Sequence, residues 1–273
     1  MPEARLTVIG SGTLLPSAER RSSAYHLRVA TRSGAAAHSV LIDCGSGALH
    51  GLAACGVDWR DIDVVAVTHY HSDHIADLAS LLGAYRFEGR TRPLALLGPS
   101  DLGHFLGRLA GLYGEWILDP GFPLDVVELG PSGRWIASGG DLRISACPTP
   151  HTDVSVALRM SGSWGELGYT GDSGPSPELA RFLAGCDLLV AECALSDPPE
   201  IDTHLSPSSL SSLAADSRPG LLLVTHVYPP QRVEDAVRGV RRLWDGEVEA
   251  ACDGMRVRLA PGGADVDRFP RAD

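Results

Sequence analysis

Residues 68–75 read THYHSDHI. Four potential metal ligands fall within six positions there, directly after the apolar run IDVVAV: His69, His71, Asp73 and His74. His69 and His71 lie two apart, so an extended turn projects them in the same direction. Asp73 and His74 lie where the loop enters a helix, and they point elsewhere. Because zinc and similar ions bind imidazole and carboxylate groups, the stretch predicts one short loop that supplies ligands to two ions.

Three residues far along the chain extend this pattern. His151 follows the run ISACPTP, Asp172 ends LGYTGD, and His226 ends LLLVTH. Each lies at or just past the end of an apolar strand, and ligands collect at the carboxyl ends of strands in layered α/β folds. Taken singly, each is also compatible with a loop residue, a helix N-cap or a strand-end histidine. Their order and their shared placement favour metal ligands.

Length and composition predict one self-sufficient domain. The chain has 273 residues, a length that α/β folds often reach as a single unit, so we expect one domain over residues 1–273. Hydrophobic residues make up 44% of the chain, which is enough for a large core. The net charge of −11 disfavours indiscriminate binding to DNA or RNA, because such binding depends on neutralising phosphates.

Cysteine usage and the start of the chain bear on cellular location. None of the six cysteines forms a CxxC pair and the chain is not cysteine-dense, which favours a reduced, cytoplasmic protein. The opening MPEARLTVIGSG lacks the charged and apolar regions of a signal peptide. No run approaches the ~18 apolar residues of a membrane span, so we expect no membrane association.

Hydrophobic periodicity predicts runs of strands interrupted by single helices. Strand-like runs occupy residues 5–10, 24–31, 39–45, 63–69, 93–99, 142–149, 154–160, 165–172, 186–194 and 220–226. Helical spacing occupies residues 74–87, 101–114, 175–185 and 233–244. Residues 248–260 are expected to close the chain as a strand pair. This pattern indicates a layered α/β domain with mixed sheets rather than strict βαβ alternation.

The motif THYHSDH matches the HxHxDH signature of the metallo-β-lactamase superfamily, and His151, Asp172 and His226 follow in the family's order. The resemblance covers nearly the whole chain, because GSGTLLPSAERRSSAYHL and LIDCGSG are also similar to the family. Within the superfamily the chain most resembles ribonuclease Z and its phosphodiesterase relatives, whose N-terminal strand runs into a similar G-x-G-T-x-x-P turn. The resemblance implies an α/β fold, an αββα four-layer sandwich of two mixed β-sheets, with a dinuclear zinc site between the sheets.

The resemblance also implies how the ligands divide between two zinc ions. The seven implied ligands form a set for one ion, a set for the other and a bridge: His69, His71 and His151; Asp73, His74 and His226; and Asp172. Ions ~3.5–4 Å apart can share a hydroxide that serves as the nucleophile. Mn²⁺ and Fe²⁺ are alternatives to zinc, because mixed imidazole and carboxylate sites accept several metals.

Two further residues match the ribonuclease Z-like relatives. Glu192 in VAECAL and His204 in DTHLSP stand where those relatives have a glutamate and a histidine next to the site. The resemblance implies that Glu192 orients His204, which donates a proton to the leaving oxygen and contributes ~10²–10⁴-fold. Asp73 is expected to act both as a ligand and as the group that orients the attacking hydroxide. The alternatives are a capping or loop histidine at position 204 and an arginine partner for Glu192.

Two features narrow the reaction. Diiron relatives carry a glutamate at the position of Ser72, so a redox role is disfavoured. Ribonuclease Z usually carries a long arm that grips tRNA between the equivalents of His151 and Asp172. Here those residues lie 21 positions apart, which leaves room for two strands and a turn. The missing arm and the acidic net charge disfavour tRNA as the substrate.

The favoured function is therefore a zinc-dependent phosphodiesterase that acts on a small molecule or a short nucleotide. One alternative is a metallo-hydrolase of a lactone, thioester, ester or β-lactam, and another is a non-catalytic metal-binding protein. The resemblance implies a homodimer. Five arginines are equally compatible with contacts to a substrate anion and with a solvated surface: Arg20, Arg21, Arg86, Arg90 and Arg92.

Overall fold

The computed structural model describes residues 3–30 and 38–267, and within these ranges the strands form two mixed β-sheets. The first sheet has eight strands, in the spatial order β15 (Gly263–Val266), β14 (Arg256–Ala260), β1 (Ala4–Gly10), β2 (Ala24–Val29), β3 (His38–Ile42), β4 (Val64–Ala66), β5 (Leu94–Gly98) and β6 (Leu124–Glu128). The second has seven, in the order β13 (Val248–Ala250), β12 (Leu221–Thr225), β11 (Leu188–Glu192), β10 (Gly165–Tyr169), β9 (Val156–Gly162), β8 (Arg143–Pro148) and β7 (Arg134–Ile136). The strands from β3 to β6 and from β10 to β13 are parallel, and the other pairs are antiparallel.

Helices cover the outer faces of both sheets. The described ranges contain α1 (Ala48–Ala54), α2 (Ser72–Ile75), α3 (Leu78–Phe87), α4 (Leu102–Tyr113), α5 (Pro177–Phe182), α6 (Pro207–Ser217) and α7 (Val233–Leu243). The first sheet packs against α1, α3 and α4, and the second packs against α5, α6 and α7. The layers follow the order helix, sheet, sheet, helix, which confirms the predicted αββα sandwich. None of these helices, within the described ranges, combines the length and the apolar character that a bilayer-spanning segment requires.

Strand β11 shows why the central strands are continuous apolar runs. Leu188 and Val190 face the interior between the two sheets, whereas Leu189 and Ala191 face the helices outside. All four side chains are buried. A strand covered on both faces buries every side chain, so it shows no polar alternation. Each fully buried leucine stabilises the fold by about 1.5–3 kcal/mol.

The single helix predicted over residues 74–87 is wrong, because the structure divides it into α2 and α3. Cys44 causes the division. Its N–H donates to the carbonyl of His74 at 2.7 Å, and its carbonyl accepts from the N–H of Asp77 at 3.0 Å. In a continuous helix both groups would bond within the helix. The loop after β3 takes them instead, so the helix breaks and its first turn is anchored to that loop.

The strand pair predicted over residues 248–260 is also wrong. Strand β13 pairs in parallel with β12 in the second sheet, whereas β14 pairs with β1 in the first. The two runs are adjacent in sequence, but the chain crosses from one sheet to the other between them. By contrast, the stretch between His151 and Asp172 does contain two strands and a turn, since only two residues connect β9 to β10.

The carboxyl ends of parallel strands from both sheets meet at one edge of the sandwich. Strand β4 leads into the THYHSDHI loop, and β11 ends at Glu192. Asp172 follows β10 after two residues, and His226 directly follows β12. This edge collects the potential ligands, as expected for the strand ends of layered α/β proteins.

Candidate metal centre

The THYHSDHI loop turns directly from the sheet into helix α2. His69 is fully buried beyond the end of β4, while His71 occupies the N-cap of α2 and is exposed. Asp73 and His74 lie in the first turn of α2, and both are buried. The change from extended to helical backbone at His71 therefore separates the loop's ligands into two pairs.

The structure brings all seven predicted ligands together in two clusters. In the first cluster, the potential ligand atoms of four residues lie within 4.8 Å of one another: His69, His71, His151 and Asp172. The second cluster, equally tight, contains three residues: Asp73, His74 and His226. Each cluster joins a part of the THYHSDHI loop to residues that are at least 75 positions away in sequence.

Asp172 lies between the two clusters and turns one carboxylate oxygen toward each. Its Oδ2 is 3.8 Å from Nε2 of His69 and 3.6 Å from Nε2 of His151. Its Oδ1 is 3.2 Å from Nε2 of His74 and 3.4 Å from Nε2 of His226. A carboxylate in this position can offset the charge of two cations at once.

Four cluster histidines are oriented at the ring nitrogen that faces away from Asp172. Their Nδ1 partners are the Thr68 hydroxyl for His69 at 3.1 Å, Asp43 for His74 at 2.7 Å, the Ser23 hydroxyl for His226 at 3.1 Å and the Thr203 carbonyl for His151 at 3.2 Å. A carbonyl or carboxylate can only accept, so Nδ1 of His74 and of His151 donates. That tautomer leaves Nε2 with a free lone pair, which is the form that binds metal.

Several atoms of the clusters need a cation. Four of them are buried without a hydrogen-bond partner among the described residues: Nε2 of His69, His74 and His226, and Oδ1 of Asp172. Orphaned buried polar atoms are rare, and each costs about 1–3 kcal/mol. In addition, Nδ1 of His71 lies 3.0 Å from Nε2 of His151, a distance at which two lone pairs repel unless a proton or a cation lies close to both. The donor set therefore fits divalent metal ions.

The proton distribution also suits metal ligands. Burial, reinforced by the nearby His74, lowers the pKa of His69 well below its ordinary value, and burial lowers the pKa of His151 to about 4. Burial opposes ionisation of Asp172, but His226 and His74 outweigh it and hold the pKa of Asp172 well below its usual range. Neutral imidazole and ionised carboxylate are the forms that metals bind.

Asp43 supports both clusters, although it was not among the residues predicted from the sequence. It is fully buried, and its Oδ2 accepts hydrogen bonds from Nδ1 of His74 at 2.7 Å and from the Tyr169 hydroxyl at 2.8 Å. Its Oδ1 accepts from the backbone N–H of Thr68 at 2.8 Å, and the Thr68 hydroxyl links Asp43 to Nδ1 of His69. The signal that points to it is its place just past the end of β3, in LIDCGSG, which is the same strand-end placement as the predicted ligands.

Replacing Asp43 with Asn should weaken metal binding without removing a potential ligand. The amide presents an N–H group to a shell made of donors, so Nδ1 of His74 loses its charged acceptor. Residues that support ligands contribute about 10–100-fold to metal affinity or activity, and we expect a loss in that range in competition titrations with a chelator. The free energy of unfolding of the metal-free protein should fall by about 1–3 kcal/mol in denaturant titrations.

Tyr169→Phe is the matched control for this prediction, because it removes one donor from the same carboxylate and leaves the charge intact. Its metal affinity should stay closer to that of the wild-type protein than the affinity of Asp43→Asn does. Equal affinities for the wild-type protein and Asp43→Asn would contradict the supporting role of Asp43.

Glu192 and His204 meet beside the clusters. Nδ1 of His204 lies 2.8 Å from Oε1 of Glu192, and the His204 ring is 4.7 Å from the His151 ring. Three backbone N–H groups also donate to the Glu192 carboxylate, those of residues Ser173, Ala194 and Leu205. Burial would lower the pKa of His204, but the hydrogen bond with Glu192 outweighs it and raises this pKa above its usual value. Ser206 rather than His204 caps the following helix.

Four of the five arginines left open by the sequence are engaged with other groups. Their partners are Asp253 for Arg21, the Asp119 carbonyl for Arg86, the Ile62 and Pro93 carbonyls for Arg90, and Asp61 and Asp63 for Arg92. Arg20 lines a surface cleft of about 870 Å³ that also includes Val227, the residue after His226. Of the five, Arg20 therefore keeps the freest guanidinium near the ligands.

Comparisons with known proteins agree with this geometry. Residues 38–227 match the family model described as the beta-lactamase superfamily domain. A ribonuclease Z from Mycobacterium bovis (strain BCG / Pasteur 1173P2) is 27% identical over 285 residues, covering 94% of this chain and 98% of that protein. An uncharacterised protein from Mycobacterium bovis (strain ATCC BAA-935 / AF2122/97) is 31% identical, covering 91% of this chain and 90% of that protein.

A solved structure shows the same fold. The crystal structure of YhfI, a metallo-β-lactamase fold protein from Bacillus subtilis, superposes with a TM-score of 0.81 at 25% identity, covering 94% of this chain and 100% of that one. The family model spans more than half of the chain and includes every residue of the two clusters as well as Glu192 and His204. The resemblance identified from the HxHxDH motif is thereby confirmed. The chain belongs to the beta-lactamase superfamily domain family, and it is a hydrolase with the metallo-β-lactamase fold.

Proposed function

We propose that this hydrolase is a dinuclear, zinc-dependent phosphodiesterase that acts on a small molecule or a short nucleotide. The observation that carries the proposal is the position of Asp172, whose two oxygens face two separate sets of histidines. A site for one ion would satisfy only one set and would leave buried Nε2 atoms of the other without a partner. The full-length similarity to a ribonuclease Z supports a phosphodiester as the bond that is cleaved.

The two clusters define which residues would hold each ion. The proposed division is His69, His71 and His151 for one ion, Asp73, His74 and His226 for the other, and Asp172 for both. When bound, such a pair of ions activates water as a nucleophile at neutral pH and offsets charge on phosphoryl oxygens. The protein contributes a rigid, dry setting, since six of the seven residues are buried or nearly so.

The proton donor in this proposal is His204. Its Nδ1 is occupied by Glu192, so the charged imidazolium carries its other proton on Nε2. The ring lies next to His151, at the side of the first cluster. From there Nε2 would donate a proton to the oxygen that leaves phosphorus. Asp73, whose Oδ2 is 3.7 Å from Nε2 of His226, would accept a hydrogen bond from the attacking water and orient it.

The hairpin between the first and second clusters favours a small substrate over tRNA. The two residues that connect β9 to β10 leave no arm between His151 and Asp172 that could grip a folded RNA. The net charge of −11 also opposes long polyanions. The substrate of the ribonuclease Z relative is therefore not carried over to this chain.

The test is a substrate panel with protein of measured metal content. We expect hydrolysis of bis(p-nitrophenyl) phosphate, weak or no hydrolysis of a lactone, a thioester and a β-lactam, and loss of the activity after chelation with recovery on adding Zn²⁺. Metal analysis should give about two equivalents per chain. Turnover of the carbonyl substrates without turnover of any phosphodiester would replace the proposal with the acyl-hydrolase alternative. Stoichiometric metal without turnover of any panel member would favour a non-catalytic metal-binding protein.

A further inference from the structure

Two adjoining pockets open beside the proposed proton donor. One, of about 600 Å³, is lined by His204 together with Glu200, Ile201 and Asp202. The other, of about 440 Å³, is lined by His151 and shares Asp202 and Thr203 with the first. We call the surface formed by Asp153, Glu200, Ile201 and Asp202 the leaving-group face. It lies where the alcohol that departs from phosphorus would have to sit if His204 protonates it.

The charge of this face has one sign. Three carboxylates line the two pockets, those of Asp153, Glu200 and Asp202, and none of the lining residues is an arginine or lysine. All three are exposed, and within the described ranges none of them forms an ion pair with a basic side chain. Their charges therefore act outward on whatever enters the pockets, rather than being neutralised within the protein.

The rest of the lining is apolar. Ile201 is 52% exposed between the two acidic neighbours, and prolines at positions 150, 175 and 199 complete the walls. An exposed isoleucine between carboxylates offers contact area to an uncharged group and repulsion to an anion. Selection of one partner over another commonly uses both kinds of contact.

The face is held firmly against the metal centre. The carbonyl of Thr203 accepts a hydrogen bond from Nδ1 of His151 at 3.2 Å. Gly174, two positions after Asp172, packs so closely on the carbonyl of Asp202 that a Cβ at position 174 would lie 1.7 Å from that oxygen. The carboxylates of Glu200 and Asp202 therefore cannot swing far from the position of a leaving group without disturbing a potential ligand.

We propose that the leaving-group face selects phosphodiesters whose leaving alcohol carries no negative charge, and that Glu200 and Asp202 are the residues that determine this specificity. The inference rests on the proposed phosphodiesterase function and narrows its substrate class. A polynucleotide cut at an internal bond would place its next phosphate against this face, where like charges repel. A phosphodiester with a neutral leaving alcohol would instead gain contact with Ile201.

The experiment compares two chromogenic substrates that differ only in the charge of the leaving group: methyl 4-nitrophenyl phosphate and methyl 3-carboxy-4-nitrophenyl phosphate. The readout is the ratio of kcat/KM for the neutral over the anionic substrate, corrected for their uncatalysed rates. We expect a ratio of about ten or more in the metal-loaded wild-type protein, because two exposed charges each contribute up to ~1 kcal/mol. The Glu200→Gln/Asp202→Asn variant should bring the ratio close to one. Added salt should also lower the wild-type ratio.

The Asp216→Asn/Asp245→Asn variant is the matched control, because it removes two exposed carboxylates far from the pockets and changes net charge equally. It should keep the wild-type ratio. Equal cleavage of both substrates by the wild-type protein, or a ratio that Glu200→Gln/Asp202→Asn leaves unchanged, would overturn this inference while the phosphodiesterase proposal stands. Failure to cleave either substrate would overturn both.

Discussion

Asp172→Asn should lose at least about 10³-fold in kcat/KM on bis(p-nitrophenyl) phosphate, together with much of its bound metal. The carboxylate is the only side chain that faces both histidine sets, and the amide has the same shape but no charge. Metal pairs supply several kcal/mol of transition-state stabilisation, and each 1.36 kcal/mol is tenfold in rate. Elemental analysis of the purified variant and titration with Zn²⁺ measure the metal, and initial rates at saturating metal measure the activity.

Asp245→Asn controls for loss of one negative charge, since Asp245 is exposed and distant from the clusters. It should keep the wild-type metal content and rate. Thermal unfolding with and without a chelator gives a readout independent of catalysis, because a ligand that binds only the folded state raises the melting temperature. Chelation should lower the melting temperature of Asp172→Asn less than that of the wild-type protein. A variant that retains two equivalents of metal and full activity would exclude the bridging role.

His204→Gln should lose ~10²–10⁴-fold in kcat on a phosphodiester with an alkyl leaving group and should retain its metal. The reason is that an alkoxide is a poor leaving group and needs a proton as the bond breaks, whereas p-nitrophenolate leaves without one. The loss on bis(p-nitrophenyl) phosphate should therefore be much smaller than the loss on the alkyl ester. Rates for both substrates, with metal analysis of the same preparations, make the measurement.

The control is His104→Gln, which changes an exposed histidine on α4 and should behave as the wild-type protein does. Equal losses on the two substrates would argue that His204 acts by positioning the substrate rather than by donating a proton. Loss of metal in His204→Gln would place this residue among the ligands, and the assignment of a proton donor would then have to be abandoned.

Local periodicity predicted the elements that have strong apolar spacing. Helix α4 was predicted over residues 101–114 and lies at Leu102–Tyr113, and helix α7 was predicted over 233–244 and lies at Val233–Leu243. In α7 the buried residues Val233, Ala236, Val237 and Val240 have the three- and four-residue spacing of one helix face. Such a face is written entirely within one stretch of sequence, so it is legible without any knowledge of its partner.

Elements that depend on their neighbours were missed. Helix α6 (Pro207–Ser217) is rich in serine and was not predicted, yet Ser206 and Ser209 form a capping box at its start, and Leu210 and Leu213 pack under it. Strand β6 (Leu124–Glu128) lies at an edge of its sheet with mostly exposed side chains, so it has little apolar alternation. In both, the stabilising contacts come from outside the segment, and propensity alone is a weak guide.

The sequence by itself determined which residues could form the centre. The HxHxDH motif, the three strand-end ligands, Glu192 and His204 were all legible from residue type, spacing and order, and the structure places all nine in three contiguous groups at one edge of the sandwich. Spacing within a loop or at a strand end is a local property, so a motif records it directly. The family match over residues 38–227 extends the same information across both sheets.

Only the tertiary structure decided what surrounds those residues. It showed that Asp43 holds His74, that the two oxygens of Asp172 face different histidine sets, and that carboxylates rather than arginines line the pockets beside His204. Each of these facts joins residues tens to more than a hundred positions apart. Their distances depend on how two sheets twist and pack against each other, and that depends on the whole buried core rather than on any single stretch of the chain.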